Sequence, residues 1–443
     1  MRKYALALLV VFSVLIAACG NIFAAGGDMG VGTEPLTDGS VDYPYLIEDF
    51  NDFEIFRSDP NYWGSGVCTR LDCNLDLDPN LAGREVYTTA VIAGDREINY
   101  VFDGSEFMGS FDGNGHTISN LTVDGAYYCG FFGYIGEDAL VSNLGLENIS
   151  VTGIDEGTGG LVSRNYHGSV TSSYSTGLVN GNDYVGGLVG ENSGSVTSSY
   201  SACTVTGNDF VGGLVGGTNE FNIADCYFIG TVIGKIGVGG LVGYNNDFSI
   251  TNCYSTGKVT GETEVGGLVG NNYSGNIMSS YSTVAVVGNS NVGGLVGENG
   301  GIATNSYSTG AVTGDSRVGG LVGANYMFSI TNCYSTGTVT GETEVGGLVG
   351  DNYYHGSITG SFWGIETSGL STSDGGIGKT TAEMRTVRIF LDAGWDLVMV
   401  WNIEDGQTYP LLRKYSAFDT NYDNKVDLLD FAEFAEHWLD GAE

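Results

Sequence analysis

Residues 249–272 read "SITNCYSTGKVTGETEVGGLVGNN". The Gly-Gly-Leu-Val block near the end of this stretch recurs with leucines at Leu161, Leu188, Leu214, Leu241, Leu268, Leu295, Leu321 and Leu348, at steps of 27, 26, 27, 27, 27, 26 and 27 residues. A near-constant period of this size marks a solenoid, because so short a unit cannot bury an apolar face alone and does so by stacking on its neighbours. Within the period, "SITNCYSTG", "KVTG" and "EVGGLVG" are β-rich and bounded by Gly or Asn, which makes three short strands and leaves no room for a helix pair. The expected fold is all-β: a right-handed parallel β-helix with coils of about 27 residues, helical caps, and a small α-helical motif at the C-terminus.

Two further registers follow the same period. Four residues beyond the repeat leucines stand Asn165, Asn192, Asn245, Asn272, Asn299, Asn325 and Asn352, with Thr218 in the remaining place. An amide both donates and accepts, so stacked copies can form a structural Asn ladder. The other register holds Tyr174, Tyr200, Tyr227, Tyr254, Tyr281, Tyr307 and Tyr334, closed by Phe362, each preceded by Ser or Cys. Strand alternation puts the aromatic and the small residue on opposite faces. A stack of tyrosines inside the core is the favoured arrangement, and rings facing outward toward sugars or another surface are the alternative.

The chain has 443 residues, 73 of them Gly but only 5 Pro, and a formal charge of −36. Plentiful Val, Leu, Tyr and Phe separate it from disordered Gly-rich tracts. The charge argues against nucleic acid and anionic lipid as partners. Arg2 and Lys3 precede an apolar stretch from Ala5 to Ala18, the pattern of an export signal spanning 1–25, too short to stay as a membrane helix. Ile16-Ala17-Ala18-Cys19 resembles a bacterial lipoprotein box, which would make Cys19 a lipidation site; cleavage between Cys19 and Gly26 would instead give a freely secreted protein. Membrane association is expected only through such an anchor. Cys68 and Cys73 could pair in an exported chain, whereas Cys226 and Cys253 read as buried small residues.

An uncovered solenoid end would template another chain, so both ends need caps. Residues 40–125 supply the first cap and irregular first coils, opening on a helix with Ile47, Phe50, Phe53 and Phe56 on one side. The repeats occupy 126–370. Residues 371–414 form the second cap, in which Thr380 and Glu383 make a capping box and Gly394 stops the helix.

Residues 415–443 carry the chemical motif. The run "DTNYDNKVDLLD" places oxygen ligands at Asp419, Asn421, Asp423, Asp427 and Asp430, with the carbonyl of Lys425 at the seventh place. Calcium takes six to eight hard oxygens around a tight loop, and this spacing supplies them. The Asp ending and the following Phe431, Phe434 and Trp438 resemble one repeat of a dockerin, an EF-hand-type module, and the resemblance implies a cohesin-like or other surface protein as partner. Dockerins carry two such repeats; one is visible here.

The repeated "VGGLVG", with "FDGNGHTISNL" upstream and "SFWGIETSG", "GKTTAEMRT" and "FLDAGWD" downstream, resembles bacterial proteins of the GLUG-repeat type over residues 40 to 412. Such repeats occur in adhesin-like surface proteins and beside the catalytic domain of IgA-type metallopeptidases, and the resemblance implies a surface or secreted protein with a repeat stalk. The zinc peptidase pattern His-Glu-x-x-His is absent. The leading expectation is a non-enzymatic, exported bacterial adhesin or extracellular scaffold, at the outer cell surface or outside the cell, that docks through calcium at its C-terminus. The alternative is a polysaccharide-active β-helix enzyme, a lyase or glycoside hydrolase, which would need a carboxylate pair or a carboxylate with a basic residue on one face. Asp112 and His116 are the best acid-base candidates, although "DGNGH" also reads as a turn; a polysaccharide remains a possible ligand in either case.

Overall fold

The computed structural model describes residues 37–95 and 102–413. They form a parallel β-solenoid of about 12 coils with turns of about 27 residues. Two compact units are distinguished: one runs to Thr206 and takes in Leu214–Gly216, the other comprises Gly207–Gly213 and the chain from Gly217 on.

In the second unit one coil consists of Val242–Asn245 and Ser249–Thr251 on one sheet, Tyr254–Thr260 on a second, and Thr263–Gly266 on a third. The next coil lies parallel and in register, pairing Val242 with Val269, Ile250 with Ile277, Tyr254 with Tyr281 and Val265 with Val292. Like therefore stacks on like, and each sequence register becomes a column of one side-chain type. The first unit is built in the same way. Tyr45–Ile47 pairs with Cys68–Leu71, which pairs with Ser110–Asp112, which pairs with Leu140–Ser142. Val162–Thr171 then pairs with Val189–Thr197.

The leucine of every Gly-Gly-Leu-Val block is fully buried. The two glycines are a packing necessity: a Cβ on Gly266 would lie 1.8 Å from the Val269 carbonyl oxygen, and one on Gly267 would lie 2.1 Å from the Gly294 oxygen. The coil turns its tightest corner here, and any side chain would push it open.

The Asn ladder is present and buried. Asn245 Nδ2 donates to Asn272 Oδ1, Asn272 to Asn299, Asn299 to Asn325 and Asn325 to Asn352, each at 2.8 Å. Each amide also donates to a carbonyl of its own corner, such as Gly275 O from Asn272 at 2.9 Å. The first unit repeats the motif between Asn165 and Asn192 at 2.8 Å.

The tyrosine stack corrects the expectation of an aromatic core. Ser173, Ser199, Cys226, Cys253, Ser280, Ser306, Cys333 and Ser361 are the buried members of the pairs, and Tyr174, Tyr200, Tyr227, Tyr254 and Tyr281 lie half-exposed on the outside. The lumen already holds the Leu and Val columns and the Asn ladder, leaving space at this register for a hydroxyl or thiol only. Outside, the rings stack nearly parallel, with centroids 4.8 Å apart for Tyr174 and Tyr200, and 4.9 and 5.1 Å apart along Tyr227, Tyr254 and Tyr281. Only Tyr307 and Tyr334 are buried, because Phe390, Trp395 and Trp401 of the C-terminal segment fold over them.

Both caps form with shorter helices than the patterns suggest. The first is Phe50–Ser58, started by the Asp49 carboxylate accepting from the backbone of Asn51 and Asp52, so Ile47 belongs to a strand. Phe53 and Phe56 are buried against Phe131 and Phe111. At the other end the Thr380–Glu383 box closes as expected, with Thr380 N donating to Glu383 Oε2 at 2.8 Å. The segment then divides into a single turn, Glu383–Arg385, and a helix, Val387–Asp392. Cys68 and Cys73 are not joined by a disulfide.

Candidate functional site

The residues named for chemistry from the sequence are placed as follows. Cys19 and the whole calcium loop, Asp419, Asn421, Asp423, Lys425, Asp427 and Asp430, lie outside the described residues. Asp112 and His116 are engaged by turn partners: Asp112 Oδ1 accepts from Asn114 N at 2.8 Å and Asn143 Nδ2 at 2.9 Å, and His116 Nδ1 meets Asn74 Oδ1 at 3.0 Å. Among the described residues no group of three or more His, Cys, Asp or Glu could hold a metal ion.

Chemistry gathers instead where the columns cease to repeat. Three residues beyond the repeat leucines the sequence has Arg164, Glu191, Gly217, Tyr244, Asn271, Glu298, Ala324 and Asp351. Four residues before the leucines, besides Gly157 and Gly237, it has Tyr184, Phe210, Glu264, Asn291, Arg317 and Glu344, all left-handed with φ of 54°, 56°, 56°, 53°, 51° and 53°. Non-glycine residues avoid this conformation at a cost of about 1 kcal/mol or more each, so a column of them is held by its surroundings. In the second unit these positions cross-link. Asn271 Nδ2 donates to Glu264 Oε2 at 2.8 Å and Asn291 Nδ2 to Glu298 Oε2 at 2.7 Å. Arg317 Nε lies 3.0 Å from Glu344 and 3.2 Å from Asp351. Burial pushes the Glu298 carboxyl up, aided by repulsion from Glu264 and opposed by Asn291 and Arg317. An aromatic-edged cleft of about 390 Å³ opens beside this face.

The first unit carries a smaller cluster on the equivalent column. Arg164 Nε is 3.6 Å from Glu191 Oε2, and its guanidinium lies 6.0 Å from the Tyr134 ring. Phe102 stacks on Tyr134 at 4.6 Å and meets Tyr128 at 5.3 Å. Burial pushes the Glu191 carboxyl up more strongly than Arg164 draws it down.

Neither cluster is among the candidates the sequence offers above, Asp112 and His116. The signal lay in variance: beside an almost invariant "VGGLVG", the position four before the leucine holds Gly, Tyr, Phe, Glu, Asn or Arg and the one three beyond it Arg, Glu, Gly, Tyr, Asn, Ala or Asp, which packing alone does not require.

Compared with known proteins, residues 234–260 and 314–340 match the GLUG motif. Halomucin of Haloquadratum walsbyi is 44% identical over 94 residues, which are 21% of this chain and 1% of halomucin. A protein of Evansella cellulosilytica provisionally described as a Gly-rich membrane protein is 34% identical over 137 residues, 29% of this chain and 14% of that protein. The chain thus corresponds to a small part of either relative. A solved structure provisionally described as an immunoglobulin A1 protease of Bacteroides ovatus matches at 20% identity, covering 85% of this chain and 94% of that one, with a TM-score of 0.37, too low to carry a comparison. Among the described residues no helix is long and apolar enough to cross a membrane.

Proposed function

We propose that this chain is a non-enzymatic scaffold or adhesin of the bacterial cell surface or the extracellular space, its solenoid presenting a binding face and its C-terminal loop docking through calcium. The observation that carries the reading is the division of labour among registers. The repeating columns of Leu, Val, Asn and Ser or Cys are consumed inside the coils, and the variable columns lie outside, cross-linked to one another and flanked by exposed rings. Such a wall is rigid and varied, as recognition requires. In the calcium loop, Asp419, Asn421, Asp423, Asp427 and Asp430 supply side-chain oxygens and Lys425 its carbonyl, a donor set of the hard-oxygen kind that calcium prefers. Anchoring at Cys19 would keep the molecule at the surface.

An array of polysaccharides and surface proteins, probed with the full chain with and without calcium, tests the proposal. Capture of a protein partner that disappears on chelation and in Asp423→Ala supports docking. Identical capture in all conditions removes the calcium step, and no capture of any ligand removes the adhesin reading. Calcium binding itself is read from Trp438, whose fluorescence should change in the wild type and not in Asp423→Ala.

One observation favours the enzymatic alternative. Arg164 and Glu191 are a basic residue and a half-buried carboxyl, its pKa raised by burial, on one face, the pairing a polysaccharide lyase would use. Turnover of a uronate-containing polysaccharide, lost in Glu191→Gln, would establish it.

A further inference from the structure

The cleft in the second unit has its origin in the repeat length. Leu295 is one residue closer to Tyr307 than Leu268 is to Tyr281 or Leu321 to Tyr334, and the residue is lost from the corner after Asn299. At the place where the neighbouring coils carry Tyr273 and Tyr326, this coil has Gly300. A notch one coil wide results, walled by Tyr273 on one side and by Tyr326 and Phe328 on the other, with Tyr354 at its edge one coil further on. Tyr273 and Tyr354 are 62% and 66% exposed, so the rings stand clear of the core. Gly300 cannot be replaced in passing, since a Cβ there would lie 2.3 Å from the Tyr273 carbonyl oxygen.

The floor is made of acceptors. Asn271 and Glu298 are adjacent in register on neighbouring parallel strands, which places them about 4.8 Å apart along the stack. The Asn271 amide is oriented by Glu264, which takes its Nδ2, and its Oδ1 is left buried with no hydrogen-bond partner. Asn271 is only 9% exposed, so this orphan acceptor has a real desolvation cost. The nearest cation, Arg317, is occupied by Glu344 and Asp351. Beyond the walls Ser274 hydrogen-bonds Asp247, adding a further carboxylate at the rim. Ring faces carry negative potential and attract cations. Rings around a carboxylate together ask for a compact positive donor, and the charge of −36 draws one in.

We infer that this notch binds a primary alkylammonium group, the lysine side chain of a partner protein being the occupant, with its N–H groups directed to the Glu298 carboxylate and its methylenes along the rings that edge the notch. The inference deepens the reading of the solenoid as a binding scaffold and rests on it. Glu298 supplies the charge, the tyrosines the desolvated walls, and Gly300 the room.

The test is calorimetry on the full chain with three probes: Nα-acetyl-lysine methylamide, the same molecule acetylated on Nε, and a neutral cello-oligosaccharide. The amine should bind and the acetylated form should not, because acetylation removes the charge and leaves the chain length. Glu298→Gln should weaken the amine about tenfold, less at high salt. Tyr273→Ala and Tyr354→Ala should each weaken it about two- to fivefold; both side chains are largely exposed, so the fold does not depend on them. Equal binding of the acetylated probe, no heat with the amine, or an unchanged affinity in Glu298→Gln would overturn the inference. Preference for the oligosaccharide would also overturn it while leaving the scaffold reading in place.

Discussion

Asn272→Ala probes the internal amide ladder where it is most completely connected. In the wild type, Asn272 Nδ2 donates to Asn299 Oδ1 at 2.8 Å and to Gly275 O at 2.9 Å, and Oδ1 accepts from Asn245 Nδ2 at 2.8 Å. Truncation removes all three bonds. Asn245 Nδ2 keeps Phe248 O at 3.1 Å, so its loss is partial. Gly275 O keeps the Ile302 backbone N–H at 3.1 Å, so Asn299 Oδ1 is the one atom that loses its donor in a site shut off from water. An unsatisfied buried polar atom costs about 1–3 kcal/mol, which sets the expected destabilisation. Asn272→Thr should cost roughly half as much, since a hydroxyl can serve one carbonyl, as Thr218 does toward Glu220 O at 3.4 Å. Because repeat arrays can unfold in parts, the assay is native-state hydrogen exchange followed by mass spectrometry, read on peptides covering residues 261–300. Protection should fall there first and spread to adjoining coils. A cost below about 1 kcal/mol would refute the reasoning, since the ladder would then contribute no more than an average exposed hydrogen bond.

Two further outcomes are expected. Burial raises the Glu191 and Glu298 carboxyls above their usual 4.5, so each gives stability that is fully present below that value and is lost as the pH rises through its folded pKa; these two groups should therefore add to the melting temperature as the pH falls toward 4.5, and Glu191→Gln with Glu298→Gln should remove that contribution. Residues 248–270 and 328–350 differ only at Lys258 and Thr338, so deleting residues 248–327 should leave a folded, cooperative chain, checked by circular dichroism and melting; loss of cooperativity would count against nearest-neighbour stacking.

The period of the Gly-Gly-Leu-Val block carried the fold by itself, because a column of identical residues has one way to stack in register. The Asn ladder was legible for the same reason: one amide type, one spacing, one bonding pattern. The tyrosines were not, since alternation separates two faces without saying which is inside. That choice depends on lumen volume, which Leu268, Val265 and Asn272 already fill. The candidate site was hidden more deeply. Glu264 and Asn271 are seven apart in sequence and Arg317 and Asp351 thirty-four, and only the left-handed turn before each Gly-Gly pair brings them together. The notch at Gly300 was visible as a step of 26 in place of 27, a difference without meaning until the neighbouring rings are placed around it.

The claim that this solenoid binds without transforming its ligand is tested most directly by incubating the full chain with the polysaccharides of the array and measuring new reducing or unsaturated ends over time. The account predicts intact polymer and no accumulation of ends, with or without calcium. Ends that accumulate in proportion to enzyme and vanish in Glu191→Gln would contradict it and make the Arg164–Glu191 pair a catalytic centre.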